Sequence, residues 1–415
     1  MINRASQLYM VMRFTASLAN STMFTTYALY YIGTLGLNPF ELLLVGTVLE
    51  ITVLLFEGIT GVVADTSGRR LSVICGMFTL GAGFLLQGGV PWLEAAIPVM
   101  PVLGWILISQ VVFGIGETFI SGAQTAWIAD EAGEEQVGRL FMRANRHSLL
   151  AALAGIALSV GLSVMAPHLP FLVGGMLYAG LGFVLVVYMK ETKFERAERA
   201  DGSSYFREMK TTWLSGVRVV RTKPVLMTIV VVSVLGGAAS EGYDRLWEAH
   251  LIAEIGFPDH VPLSMAVWFG VISVLTTVLS LLAVRIAEKR LDMGDSQQVA
   301  TGMFVLTGLR IAAIVSFAFS PGFAWALGSV LAFGIVRALG GPIYDTWLNA
   351  NIDGKVRATV LSMIGQSDAL GQTAGGPFVG LVGERYSIRA SLVVAAALLS
   401  PLLFVFGRVL RRRRT

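Results

Sequence analysis

The chain has 415 residues, of which 55% are hydrophobic and 14% charged, with a mean hydropathy of +0.70. A soluble domain carries nearer a quarter charged residues, so this composition excludes an ordinary globular enzyme and indicates a polytopic membrane protein. The formal charge of +4 clusters at the ends of apolar runs, which reads as loop bias and excludes nucleic-acid binding. The single Cys75 excludes an internal disulfide, and His147, His168, His250 and His260 are too scattered for a metal site.

A span needs about 20 apolar residues to cross a core of about 30 Å, and a helix pairs its own backbone groups there. Hydropathy gives twelve such segments, at approximately 8–32, 40–64, 70–90, 101–126, 146–167, 170–190, 224–248, 263–287, 298–319, 322–348, 357–382 and 388–410. The opening stretch shows no cleavage site and runs directly into the first span. That span carries Arg13, Ser17, Asn20, Tyr27 and Tyr31 along one stripe.

Span 2 holds Glu50 and Glu57, seven residues apart and so on one helix face, where a desolvated carboxyl is suited to bind and release a proton near neutral pH. Arg13 is within reach of a pair with Glu57, which leaves the deeper Glu50 as the better proton site. Span 4 sets Gln110, Gly114, Glu117, Ser121 and Gln124 on one face, a pattern expected of a cavity lining, with Glu117 as the leading proton-site candidate. Span 5 offers a small-residue ladder, Ala151, Gly155, Ser159 and Ser163.

The polar connector from Lys190 to Lys223 divides the chain into 1–190, a linker at 191–223 and 224–415, and a surface helix is expected around Tyr205 to Val220. Span 7 bears Glu241, Asp244, Arg245 and Glu248 at i, i+3, i+4 and i+7. A charge at the bilayer centre costs about 2.5–3.5 kcal/mol, so this stripe is expected to face an aqueous cavity, with Glu248 at a solvated helix end. Arg310, Arg337 and Asp345 follow, and Arg310 and Arg337 are expected to neutralise acids on neighbouring helices. Asp368 and Gln372 form an i, i+4 pair in span 11. Basic residues at Arg69–Arg70, Arg139, Lys289–Arg290, Lys355 and Arg411–Arg414 share one side, which predicts an inner-membrane protein with both termini in the cytoplasm.

Gly61, Asp65, Gly68, Arg69 and Arg70, spaced as G-x-x-x-D-x-x-G-R-R, resemble motif A of the major facilitator superfamily; Thr66 stands where that motif usually has a base. The resemblance implies an all-α membrane protein of twelve transmembrane helices in two six-helix halves that rock about a mid-membrane site. It implies a transporter of small molecules, not an enzyme, monomeric in the lipid bilayer and without cofactor. Motif A would act as a latch, with Asp65 at the start of span 11 near Arg357 and with Arg69 and Arg70 bridging to Asp130 or Glu131. Four further segments, LLFEGITGVVADTSGRRLSV, FGIGETFISGAQTAWIADE, SEGYDRLWEAH and RATVLSMIGQSDALGQTAGGP, look like the tetracycline-resistance-like and macrolide-efflux branch of drug exporters.

That branch implies export of amphipathic compounds coupled to protons, a source consistent with the lack of any ATP-binding pattern. Glu50, Glu57, Glu117 and Asp368 are then the proton-coupling candidates. Arg13, Asn20, Tyr27, Gln110, Gln124, Glu241, Asp244, Arg245 and Gln372 are the cavity candidates. Two departures keep an importer or exchanger of a lipid, sugar or peptide metabolite open: Gln110 occupies the position where many drug antiporters carry arginine, and span 5 lacks their proline. A G-G-P-x-x-G pattern occurs instead in span 11 at Gly375, Gly376, Pro377 and Gly380.

Overall fold

The computed structural model describes residues 4–132, 134–193, 224–292, 294–352 and 357–412, and among them there is no strand. The first half comprises α1 (Arg4–Phe24), which bends and resumes as a π-helical turn at Leu29–Thr34, then α2 (Pro39–Ser67), α3 (Arg69–Gly88), the short α4 (Val90–Ala96), α5 (Val102–Ile120), the short α6 (Ala123–Ala132), α7 (Glu134–Met165) and α8 (Leu169–Tyr188). The second comprises α9 (Pro224–His250), extended by a π-helical turn at Leu251–Ile255, then α10 (Met265–Arg290), α11 (Ser296–Ala318), α12 (Phe323–Asn351), α13 (Arg357–Arg385) and α14 (Ile388–Arg412). The surface helix expected at Tyr205 to Val220 lies outside the described residues.

Apart from α4 and α6, these helices fall on the twelve expected segments, and ten of them are long and apolar enough to cross a membrane. The two that fall short are α1 and α13. The first carries Arg13, Ser17, Asn20, Ser21 and Thr22, the second Ser367, Asp368, Gln372 and Thr373. Span 4 departs from expectation: α5 ends at Ile120, Gly122 takes a positive φ of 71°, and a separate helix, α6, starts at Ala123. Gln124 is therefore on a different helix from Gln110 and Glu117, because the i, i+4 arithmetic fails across the break.

The helices cluster into two compact units. The first takes Met1–Leu37, Val48–Tyr205 and Leu263–Gly270, the second Asn38–Thr47, Phe206–Pro262 and Val271–Thr415. Within the first, α1 packs on α7 and α8, and α3 packs on α5 and α8. Within the second, α9 packs on α13 and α14, and α11 on α12 and α14. The same pairings recur six spans later, so each unit repeats one packing scheme although no sequence repeat is evident.

Without a hydrophobic drive between helices in lipid, such packing depends on close backbone approach at small residues. In the first unit a Cβ built on Gly155 would lie 2.6 Å from the Leu18 carbonyl oxygen of α1. Further along the same ladder, Ser159 and Ser163 meet the Thr26 hydroxyl at 2.8 and 2.5 Å. In the second unit α9 and α13 interlock, since a Cβ on Gly371 would lie 2.1 Å from the Val234 carbonyl oxygen and one on Gly375 2.5 Å from Ala238 Cα. Gly371→Ala should therefore destabilise the protein by about 1–3 kcal/mol in detergent melts. Gly365→Ala, whose Cβ would meet nothing within 4 Å, should leave the melting temperature unchanged.

Candidate functional site

The turn between α2 and α3 is built around Gly68, whose φ of 105° is a conformation that favours glycine. A Cβ there would also lie 2.7 Å from Glu191 Oε2. The Glu191 carboxylate accepts hydrogen bonds from the Arg69 and Arg70 backbone N–H groups at 2.9 and 3.2 Å, placing an anion on the exposed donors at the start of α3. Arg70 in turn reaches α8, its Nε donating to the Met189 carbonyl at 2.6 Å and a terminal nitrogen to the Val186 carbonyl at 2.8 Å. Arg69 forms the expected ion pair with Asp130. Glu131 instead accepts from Thr192 N at 2.6 Å and Lys193 N at 3.2 Å. Gly61 has open space on its Cβ side and Asp65 is exposed, while the side chain of Arg357 lies outside the described residues.

Inside the first unit, two amides and a phenol form a buried cluster. Gln87 Nε2 donates to the Tyr31 hydroxyl, and Gln110 Nε2 donates to Gln87 Oε1 at 3.2 Å. The Tyr30 hydroxyl donates to the Gln87 carbonyl at 2.8 Å. Gln110 is only 3% exposed, so it joins helices and does not face an open cavity. Nearby on the same unit, the Tyr178 hydroxyl donates to Asn20 Oδ1 at 2.7 Å. The half-buried Glu117 and the exposed Arg13 both lie within electrostatic reach of Tyr178. Glu57 Oε1 accepts from the Ser121 hydroxyl at 3.2 Å, and no Arg13–Glu57 ion pair forms among the described residues. Glu50 and Tyr27 are half-buried, with the Tyr27 ring edge-on to Tyr31 at 5.6 Å.

In the second unit the span 7 acids are partnered instead of facing water as one stripe. Glu241 is 3% exposed, and Arg245 Nε donates to its carboxylate at 2.9 Å. Gly46 lies against this pair, where a Cβ would come within 1.7 Å of Glu241 Oε1. Asp244 accepts from Arg337, which is the neutralisation expected of that arginine. Arg310 sits over the Phe333 ring at 5.5 Å, within electrostatic reach of Asp244 and Asp368. Glu248, expected at a solvated end, is 3% exposed because the helix continues through Leu251–Ile255. The i, i+4 pair in α13 forms, Gln372 Nε2 donating to Asp368 Oδ2 at 2.9 Å.

Sequence patterns alone do not single out Gln87, Tyr178 or Glu191, since each acts through partners 23 or more positions away. An uncharged glutamine and a tyrosine inside an apolar span carry little signal of their own, and Glu191 sits among the charges of the linker.

Residues 9–375 match the Major Facilitator Superfamily. The chain belongs to this superfamily. It is 22% identical over 356 residues to the MFS-type transporter YxaM of Bacillus subtilis, described as uncharacterized, covering 86% of this chain and 84% of that protein. A mutant of the nucleoside transporter NupG superposes with a TM-score of 0.77 at 14% identity, covering 98% of this chain and 99% of that one. A D-xylose–proton symporter gives 0.67 at 12% identity, covering 95% and 96%. At such identities the structural likeness is one of fold. The protein is a multi-pass membrane transporter and not an enzyme. In this facilitator, Arg245→Met would strand the buried Glu241 charge at a cost of about 3–5 kcal/mol. Thermal unfolding in detergent should register that loss, and adding Glu241→Gln should recover most of it.

Proposed function

We propose that this facilitator exports amphipathic small molecules in exchange for protons by alternating access, from the inner membrane with both termini in the cytoplasm. The observation that carries the reading is the division among its membrane acids. Glu241 and Asp244 are each bonded to an arginine, whereas Glu117 and Asp368 form no ion pair among the described residues. An acid locked to a guanidinium stays ionised through a cycle; one without such a bond is free to change its proton when its access to water changes. Glu117 in the first unit, beside Tyr178 and Asn20, is the principal proton carrier, and Asp368 is its counterpart in the second.

The energetics suffice. A charge crossing the membrane yields about 2.3 kcal/mol per 100 mV and a pH unit adds about 1.36 kcal/mol, enough for substrate gradients on the order of 100-fold. The segments resembling drug exporters support an amphipathic cargo, and the D-xylose–proton symporter among the similar structures makes proton coupling familiar to the fold.

A second reading, an importer or exchanger of a physiological solute, draws on Gln110. Where many drug antiporters carry arginine, this side chain is buried and bonded to Gln87, so the charge that branch uses there is missing. Metabolite profiling of a deletion strain separates the two, because a drug exporter leaves solute pools unchanged.

Inverted vesicles with an acidified lumen should accumulate a transported dye or drug. Glu117→Gln should abolish the response to the pH gradient and Asp368→Asn should reduce it at least tenfold, with both variants still folded. A broad compound panel without any response to pH would overturn the proposal.

A further inference from the structure

A groove of about 740 Å³ runs between α11 and α14 within the second unit. Its apolar wall is formed by Phe304 of α11 with Leu403 and Phe404 of α14, and its end is closed by Arg408 and Arg411. On α14 these residues recur at 403, 404, 407, 408 and 411, a spacing that puts the apolar surface and both guanidinium groups on one helical stripe. Gly407 keeps the groove open: a Cβ there would lie 3.6 Å from the Phe304 ring, so a larger side chain would project into the space. Phe404 is 76% exposed, and both arginines are exposed as well.

Both helices are long and apolar enough to cross a membrane, so an open apolar groove between them is suited to an acyl chain. No carboxylate lines the groove, and neither arginine forms an ion pair among the described residues. A hydrocarbon slot ending in two cations that have no ion-pair partner among the described residues is complementary to an amphiphile with a long tail and an anionic head. We infer that the α11–α14 groove is a binding site for an anionic phospholipid, its phosphate held by Arg408 and Arg411 and one acyl chain laid against Phe304, Leu403 and Phe404. The arginines thereby acquire a role beyond setting topology. Topological charge needs only a sign and a side, and it requires neither a groove nor alignment with an apolar stripe.

The test is native mass spectrometry of the full chain released from mixed nanodiscs of phosphatidylglycerol and phosphatidylcholine. The expected result is one tightly retained phosphatidylglycerol. Arg408→Gln with Arg411→Gln should weaken retention roughly 30-fold, as expected for two cations removed from a headgroup site. Gly407→Leu, which fills the groove and alters no charge, should weaken it comparably, while Arg290→Gln at an exposed position on α10 should not. Melting temperatures of the variants in neutral detergent separate loss of binding from loss of fold. Equal retention of phosphatidylcholine, undiminished binding in the folded double variant, or displacement by free glycerol phosphate would each overturn the assignment, the last by showing a soluble-anion site.

Discussion

Charge inside an apolar helix bundle has to be met by an opposite charge, a hydrogen-bond partner or water, and most of this molecule follows from how each case is met. Placing an arginine or carboxylate at the bilayer centre costs about 2.5–3.5 kcal/mol, which a single close partner offsets only where geometry is good. Arg245 reaches Glu241 one turn away on its own helix, at 2.9 Å, so the pair needs no second helix to hold it in register. Arg337 and Asp244 make the opposite choice, tying α12 to α9. Arg69 and Asp130 do the same at a membrane edge, where the ion pair secures the α2–α3 turn to α6.

The α2–α3 turn shows the same rule applied to backbone dipoles. A helix start exposes N–H groups and a helix end exposes carbonyls. Glu191 covers the first at α3 while Arg70 covers the second at α8, so two side chains satisfy two helix termini and join them. The two residues lie 121 positions apart in the chain, yet the contact closes one end of a unit in which α3 already packs along α8. Gly68 is favoured because its φ of 105° strains any L side chain, and a Cβ there would also press on the Glu191 carboxylate. The most family-specific stretch of the sequence therefore has an immediate structural duty within its own unit, whatever further role it has in gating.

Much of this is legible in the sequence. The helices are, because a run of about 20 apolar residues has few other uses and lipid leaves the backbone no alternative to a helix. The resemblance to motif A narrows the partners of Arg69 and Arg70 to Asp130 or Glu131, and a membrane arginine such as Arg337 calls for an acid on a neighbouring helix, but which acid each meets is not legible. What sequence does not carry is everything that depends on where a helix bends or which face turns inward. The glycine at position 122 breaks span 4 and removes Gln124 from the face of Glu117. Four charges on two turns of span 7 point to water, because any other setting without partners is too costly. The structure meets that cost with Arg245 and Arg337 and by running the helix on to Ile255. Periodicity reveals that residues share a face; it does not say what that face meets.

The two units share one packing scheme but divide the polar chemistry unequally. The first holds its interior with neutral groups: Tyr31, Gln87 and Gln110 in one cluster, Thr26 with Ser159 and Ser163 in another. The second relies on guanidinium groups, with Arg245, Arg310 and Arg337 set among Glu241, Asp244 and Asp368. This difference sets the electrostatic surroundings of the acid in each. Glu117 lies near the Tyr178 phenol, and Arg13, the cation within reach of that phenol, is exposed. Asp368 lies within electrostatic reach of Arg310, whose Nε has no hydrogen-bond partner among the described residues. Two repeats of a single scaffold thus surround their interior acids differently, the first with hydroxyl and amide groups and the second with guanidinium groups.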